Sequence, residues 1–358
     1  MKKIPVGVLG ATGMVGQRFV TLLENHPWFD VVILAASPRS AGKPYQEAVG
    51  KNWRIDVPMP VYSKKMNVYA VEKDEVLIAK KVRLVFCALD MEKNEIRTIE
   101  DKYGARGVAV ISNNSANRWT QDVPMIMPEI NPDHADLIKT QRKRRGWDKG
   151  LIVVKPNCSL QSYLPIIHAL SEFGPEKIEV TTLQAISGAG KTFVSWPEML
   201  DNCIPFISGE EEKTEREPLR ILGSLTNSGI KMKDGLQISA TCIRVAVSDG
   251  HMASVSVKFK KKPTLSQIIA SLKKYKNPIA HLNLPSCPNP FIRYFAEENR
   301  PQTNLDRNLG NGMTISCGRF REDPLFDWKF VSLSHNTIRG AAGGAILTAE
   351  LLLAKELI

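Results

Sequence analysis

Between residues 4 and 23 the chain passes from a short apolar run into Gly10-Ala-Thr-Gly13-Met-Val-Gly16, then into a helical pattern from Val15 through Leu23. Glycines at such a corner allow a sharp turn and a close backbone approach, leaving N–H groups at the helix start free to hold a pyrophosphate. Glycine-rich corners also arise for purely structural reasons. In a strand–turn–helix setting the dinucleotide is favoured, with Gly10, Thr12, Gly13, Met14 and Val15 as its contacts. The alternation then continues, because Val31–Ala36, Val82–Ala88 and Val108–Ser112 read as further buried strands. Strands alternating with helices predict an α/β, doubly wound parallel sheet.

The end of the second strand selects the cofactor. A site for a free ribose diol wants Asp or Glu about 20 residues beyond the fingerprint. Here that place reads Ala35-Ala36-Ser37-Pro38-Arg39-Ser40, and Asp30 lies at the wrong end of the strand. Two hydroxyls and a guanidinium suit a 2′-phosphate, so Ser37, Arg39 and Ser40 point to NADP.

At 358 residues the chain is long enough for two domains. Around residues 149–157 its character changes. Ile178–Leu183, Leu236–Val247, Ala253–Phe259 and Met313–Phe320 have the period-two character of long strands in an open mixed sheet with helices on one face. Residues 284–310, rich in Pro, Asn and Gly, read as mostly loop, and Ala341–Ile358 as a helix that packs back on the first domain. The expected division is a Rossmann-type NADP-binding domain of residues 1–157 and 336–358, and a catalytic and dimerisation domain of α+β type at 158–335.

Charge and cysteine usage narrow the classes of function. Forty-eight basic against 37 acidic side chains give a net charge of +11. The run Arg142-Lys143-Arg144-Arg145 would be the best nucleic-acid contact, yet basic residues before Gly146 are what a helix C-terminus prefers. No zinc-finger or RNA-binding motif accompanies the run, so a small anionic ligand is the preferred partner. None of the six cysteines forms a Cys-x-x-Cys pair or a cluster with histidine, which argues against a metal or a disulfide framework. No run approaches the roughly 18 apolar residues of a membrane span. The basic-then-apolar start is broken by glycines and lacks a small-residue cleavage site. A cytoplasmic protein is expected.

One cysteine stands apart. Pro156-Asn157-Cys158-Ser159 follows the strand Leu151–Val154 and precedes a helical pattern over residues 160–170. Cys158 therefore lies at a helix N-terminus, where the dipole lowers a thiol pKa and N–H groups can hold an oxyanion. A lone Cys at a helix start is more often structural. Beside a dinucleotide fold it gains a purpose, since hydride transfer from a thiohemiacetal needs a nucleophile next to a nicotinamide.

Eight collinear segments then resemble the aspartate-semialdehyde dehydrogenases in their archaeal and fungal form: GATGMVG, AASPRSAGKPY, ISNNSANRW, KPNCS, LQAISGAG, SGEEEK, IRVAVSDGH and HNTIRGAAGGA. The resemblance implies Cys158 as nucleophile, His251 as general acid/base and Gln184 as a group orienting the covalent intermediate. It implies Arg244 for the substrate α-carboxylate and Glu210 for its amino group. Arg118 and Lys213 would receive phosphate, with Asn117 beside them, and Ser112, Asn113, Ser187, Gly188 and Asn336 would meet the cofactor. The implied substrates are aspartate semialdehyde or 4-phosphoaspartate with phosphate, and the implied assembly is a homodimer or homotetramer. The apolar Ile204-Pro-Phe-Ile207 stretch would lie at the subunit interface.

Taken singly, these residues read more modestly. Arg244 would be a surface ion pair, His251 a hydrogen-bonded turn residue, and Glu210–Lys213 an i,i+3 salt bridge. The sequence departs from the family pattern at Leu160, Lys191 and Met252, which bears on substrate choice more than on reaction class. Rival readings are a malonyl-CoA or succinyl-CoA reductase of the same fold, a more distant N-acetyl-glutamyl-phosphate reductase, and a non-catalytic NADP-sensing regulator.

Overall fold

The computed structural model describes residues 2–358. Strands β1 (Ile4–Leu9), β2 (Phe29–Ala36), β3 (Val68–Ala70), β4 (Leu84–Cys87), β5 (Ala109–Ser112) and β6 (Leu151–Val154) form a sheet of order β3-β2-β1-β4-β5-β6. Every neighbouring pair is parallel. Strand order reverses between β1 and β4, which opens a crevice at their carboxyl ends. Both faces are covered, so β4, β5 and β6 are apolar and buried throughout apart from Ser112.

The remaining strands are β7 (Pro175–Gln184), β8 (Cys203–Ile204), a small hairpin of β9 (Ser224–Thr226) and β10 (Gly229–Lys231), β11 (Gln237–Val245), β12 (His251–Phe259), β13 (Ile292–Phe295), β14 (Ile315–Glu322) and β15 (Trp328–Ser334). Apart from the hairpin they make a mixed sheet of order β13-β14-β15-β12-β7-β11-β8. Two features differ from the sequence expectation. β15 is an inner strand that the apolar pattern did not single out. The Pro-rich 284–310 stretch contains β13, pairing in parallel with β14, and a short helix at Thr303–Asp306.

Two apolar clusters hold these layers together. One joins Val8, Phe86 and Ile111 of the first sheet to Phe19 and to Ile346 and Leu351 of the Gly343–Ala354 helix. That helix thus packs against the first sheet although it follows the second. The other cluster runs from Val85 and Ile152, through Tyr163 and Leu164 of the Leu160–Ala169 helix, to Val180, Val255 and Phe330 of the second sheet. The helix after Cys158 is therefore a shared wall between the sheets, and it fixes the Cys158 loop relative to both.

The basic run ends a helix at Gly146, whose φ of 66° needs no Cβ. Arg142 donates to the carbonyls of Lys149, Gly150 and Leu357, Arg144 to that of Ser228, and Arg145 to Asp122 and Asp101. These side chains tie the sheet edge together. Among the described residues no helix is long and apolar enough to cross a membrane.

Candidate active site

The fingerprint forms the floor of the crevice. Gly10 has φ 84°, and a Cβ there would meet the Ala88 carbonyl oxygen at 2.2 Å. One on Gly16 would meet that of Gly10 at 2.1 Å, so helix and strand touch through glycine alone. The helix Met14–Leu22 starts with N–H groups that lack intrahelical partners. Beside it lies a cleft of about 390 Å³ lined by Gly10, Thr12, Gly13, Ser37, Pro38 and Arg39. Lys73, which sequence reasoning missed, adds a second cation, while Glu72 and Asp90 bring carboxylates to the rim. Ser40 is not in the lining; its N–H closes the turn onto the Ser37 carbonyl at 3.0 Å. A cleft of this size at the carboxyl ends of the strands, with a cation where the second strand ends, fits a dinucleotide carrying a 2′-phosphate.

Further along, the Asn113 Nδ2 is buried without a hydrogen-bond partner, a free donor at the end of β5. Ser112 differs from expectation. Its hydroxyl donates to Glu100 at 2.5 Å, and the Asn117 amide donates to the other oxygen of that carboxylate at 2.7 Å. Both side chains satisfy a buried acid that burial holds above the usual carboxylate range. Both groups are therefore engaged within the protein, Ser112 short of the cofactor and Asn117 short of the substrate that the resemblance implies for them. Asn336 bridges two loops, donating to Ser187 Oγ at 2.8 Å and accepting from the Gly250 N–H at 2.8 Å. Met14 and Ser187 line a second cavity, of about 580 Å³, with Lys191 on its wall; Val15 is half-buried beside Met14.

Cys158 sits just before the Leu160–Ala169 helix, in a loop organised by Asn157. The Asn157 Oδ1 accepts from the N–H and hydroxyl of Ser159, at 2.7 and 2.8 Å. Its N–H donates to Glu217 and its Nδ2 to Glu210, at 2.7 and 2.8 Å. Gly340, far away in sequence, packs so closely that a Cβ would lie 2.7 Å from the Cys158 Cβ. Burial pushes the thiol up to about 11, with Glu210 adding to the effect, while Lys155, Arg118 and Arg244 oppose it. The resting thiol is thus raised, not lowered as its helix-terminal position suggested. Desolvation and a nearby carboxylate outweigh the cations around it.

The second sheet supplies the other walls. Arg244 on β11 is in register with Gln184 at the end of β7, and His251 begins the adjacent β12. Gly188 marks where they converge: a Cβ there would lie 2.9 Å from Arg244 Nη1 and 3.0 Å from His251 Nε2. The Ala185 N–H donates to His251 Nδ1 at 3.1 Å, which puts the proton of the neutral ring on Nε2. That Nε2 is buried and has no partner. Burial, with Arg244 nearby, lowers the ring to about 3, so it is uncharged at neutral pH. Arg244 donates to the Ala185 carbonyl at 2.7 Å and makes no ion pair among the described residues.

Gln184 donates to Glu210 at 3.3 Å, and Lys213 closes on the same carboxylate at 2.8 Å. Against the penalty of burial, Lys213, Asn157 and Gln184 together hold Glu210 below its ordinary range. Arg118 is engaged within the protein. It pairs with Glu217 at 2.8 Å and donates to the carbonyls of Lys155 and Asn113. Of the three departures, Leu160 is buried in the core, Lys191 is exposed, and Met252 is half-buried opposite Leu183 and Leu333. Gly340 and Lys155 lie inside the matched segments HNTIRGAAGGA and KPNCS, and Glu217 four residues beyond SGEEEK, but no role attaches to any of them in the sequence.

Comparison with known proteins agrees along the whole chain. Residues 5–138 match the family model "Semialdehyde dehydrogenase, NAD binding domain", and residues 164–339 match "Semialdehyde dehydrogenase, dimerisation domain". The chain is 42% identical over 353 residues to the aspartate-semialdehyde dehydrogenase of Archaeoglobus fulgidus, covering 99% of each. It is 42% identical over 373 residues to that of Saccharomyces cerevisiae, covering 100% of this chain and 99% of the yeast protein. The crystal structure of the Candida albicans aspartate-semialdehyde dehydrogenase with NADP superposes with a TM-score of 0.89 at 38% identity, covering both chains completely.

Proposed function

Because the chain belongs to the aspartate-semialdehyde dehydrogenase family, we propose that it interconverts L-aspartate 4-semialdehyde and 4-phospho-L-aspartate through a thioester on Cys158, with NADP as cofactor. The observation that carries the reading is the pocket around Cys158. An unpartnered His251 Nε2–H and an unpaired Arg244 meet there at Gly188, beside a thiol held by Asn157 and Gly340.

The protein's groups divide the work as follows. Arg244 takes the substrate α-carboxylate in a two-point contact and Glu210 takes the amino group, which presents the aldehyde carbon to sulfur. The Cys158 thiolate adds to that carbon, and the oxygen, now carrying the negative charge, accepts a hydrogen bond from His251 Nε2–H. With Nδ1 occupied by the Ala185 N–H, the ring serves as a neutral donor to this oxyanion. Gln184, anchored on Glu210, orients the adduct. Gly10, Thr12, Gly13, Met14 and Val15 would hold NADP, with Ser37 and Arg39 for its 2′-phosphate and Asn113, Ser187, Gly188 and Asn336 for its other end, and the bound cofactor would supply a hydride acceptor. His251 Nε2–H can donate to this oxygen both as the oxyanion and as the thioester carbonyl, so the ring keeps its proton throughout. Phosphate, drawn by Lys213 and Arg118, then cleaves the thioester and returns the thiolate.

The direct test is NADPH formation from aspartate semialdehyde, which should require phosphate. Equal rates with and without phosphate would overturn the reading. Arg244→Lys should lower kcat/KM about ten- to hundredfold, because an ammonium cannot reproduce the planar fork. Unchanged kinetics, or faster turnover of malonyl-CoA, would move the assignment to the CoA-dependent reductases.

The cofactor assignment has its own test. A charge-assisted contact from Arg39 is worth about 1.5–3 kcal/mol, so Arg39→Ala should weaken NADP binding roughly ten- to hundredfold and leave NAD nearly unaffected. Equal weakening of both cofactors in calorimetric titrations would remove Arg39 from the 2′-phosphate site.

The enzyme works as an oligomer on small molecules, and a homodimer or homotetramer is the proposed assembly. The dimerisation-domain match supports it, as do the exposed apolar side chains Val194, Leu200 and Phe206 on the loop before the Glu210–Ile221 helix. A cytoplasmic location accords with six unpaired cysteines.

A further inference from the structure

Glu210, Thr214 and Glu217 stand on one stripe of the Glu210–Ile221 helix, at the i, i+4, i+7 spacing, and all three are buried. Each meets the loop that carries Cys158. Glu210 accepts from Asn157 Nδ2 at 2.8 Å, the Thr214 hydroxyl lies 3.4 Å from that of Ser159, and Glu217 Oε2 accepts from the Asn157 N–H at 2.7 Å. Glu210 already has a place at the substrate amino group. Glu217 has none, although its carboxylate is fully buried. A charge taken out of water has to be paired and hydrogen-bonded, and Glu217 finds both in two strand-end loops of the first sheet.

Asn157 belongs to the loop after β6, and the second loop is the one after β5, which carries Arg118. Glu217 Oε1 accepts from Arg118 Nη1 at 2.8 Å. The guanidinium is held on two further sides, because Nε donates to the Lys155 carbonyl at 3.0 Å and Nη2 to that of Asn113 at 3.3 Å. Arginine has five N–H groups in one plane. Among the described residues three are used, which leaves one on each terminal nitrogen for an anion. The carboxylate that steadies this fork is thus the same one that steadies the backbone beside Cys158.

We propose that Glu217 is a positioning residue for the phosphate-dependent half of the reaction, its one carboxylate holding the Arg118 guanidinium and the Cys158 loop at a fixed spacing. Phosphate bound by Arg118 is then set against the thioester carbon. In that step a phosphate oxygen forms the bond to carbon as the C–S bond breaks, the electron pair leaves with sulfur, and Glu217 neither gains nor loses a proton. Reach and charge can be told apart. A carboxylate beside a phosphate repels it, so a role of charge alone would let a neutral variant bind phosphate more tightly. A role in spacing makes either a shorter carboxylate or a neutral amide bind it less well.

This inference rests on the proposed cleavage of a Cys158 thioester by phosphate. Its test measures KM for phosphate and for aspartate semialdehyde in the whole protein. Glu217→Asp keeps the charge but is one CH₂ too short to reach Arg118 and Asn157 together. Glu217→Gln keeps the reach but offers one acceptor oxygen to two donors. Both should raise KM for phosphate about tenfold or more, leave KM for aspartate semialdehyde within about twofold, and keep the NADPH burst formed without phosphate close to one per site. In an Arg118→Met background Glu217→Asp should raise the phosphate KM no further, since it acts through Arg118. An unchanged phosphate KM in either folded variant, a lower one in Glu217→Gln, or additive effects with Arg118→Met would overturn the proposal. Loss of the burst, or failure of both variants to fold, would do the same by assigning Glu217 to the loop or the scaffold alone. A parent that forms NADPH equally with and without phosphate would remove the reaction assignment and this role with it, a result read before any variant is made.

Discussion

Cys158→Ser should lose turnover by about 10⁴-fold or more while binding NADP as the parent does. The argument is one of proton affinity. A serine hydroxyl in the same buried loop holds its proton several pH units more tightly than a thiol that already sits at about 11. Whatever oxygen adduct did form would end as an ester, which phosphate cleaves far more slowly than a thioester. The informative measurement is a single turnover in the absence of phosphate. The parent should release a burst of NADPH close to one per site as the thioester accumulates, and the variant none. Near-normal turnover in the variant would exclude the covalent route, and with it the roles given to every group around the sulfur.

For His251→Ala a loss of about 10²–10³ in kcat is expected, the magnitude for removing one oxyanion donor. The hydrogen bond from Ala185 to Nδ1 sharpens this beyond a simple loss. A general base has to offer a lone pair, whereas a donor has only to present N–H. His251→Gln, which keeps an N–H of similar reach, should therefore recover a measurable part of the activity. The pH profile separates the two roles as well. With the folded ring lowered to about 3 by burial and Arg244, kcat/KM should show no break from this group near 6.5. The same shift has a consequence for stability, with a definite sign. Between about 3 and 6.5 the unfolded chain binds this proton and the folded chain does not, so stability is present above 6.5 and is lost as pH falls through that window. A bell-shaped profile with an acid limb near 6.5 that disappears in His251→Gln would restore the general-base role.

The parallel sheet was legible because its strands are apolar on both faces and separated by glycine-marked corners. β15 was not, for a physical reason. Its later residues Ser332 and Ser334 are buried polar groups on an inner strand, so neither alternation nor a continuous apolar run appears. β13 is short and stands among prolines, and only its pairing with β14 makes it a strand. The candidate reacting groups stood out because Cys158, Arg244 and His251 are reactive or charged side chains at or just beyond the ends of strands. Ser112 and Asn117 had the right chemistry for the cleft, but a carboxylate in the Lys93–Ala105 helix claims them. Glu100 occupies a position that looks solvated in the sequence yet is fully buried. Gly340 could not have been found locally, since its meaning is a contact with a residue half the chain away.

That contact also bears on how the protein comes into being. Emerging from the ribosome, β1 to β6 precede by a long interval the Gly343–Ala354 helix whose Ile346, Leu347 and Leu351 cover one of their faces. A domain that lacks its final element cannot finish folding as synthesis proceeds. Until the last stretch docks, an apolar face remains open to chaperones, and neither Cys158 nor Lys155 has the glycine surface against which it is seated. A nascent chain therefore carries Cys158 without the packing it has in the finished fold. The packing around Cys158 is thus completed only when residues 338–354 dock, long after the strands that carry its loop have been made.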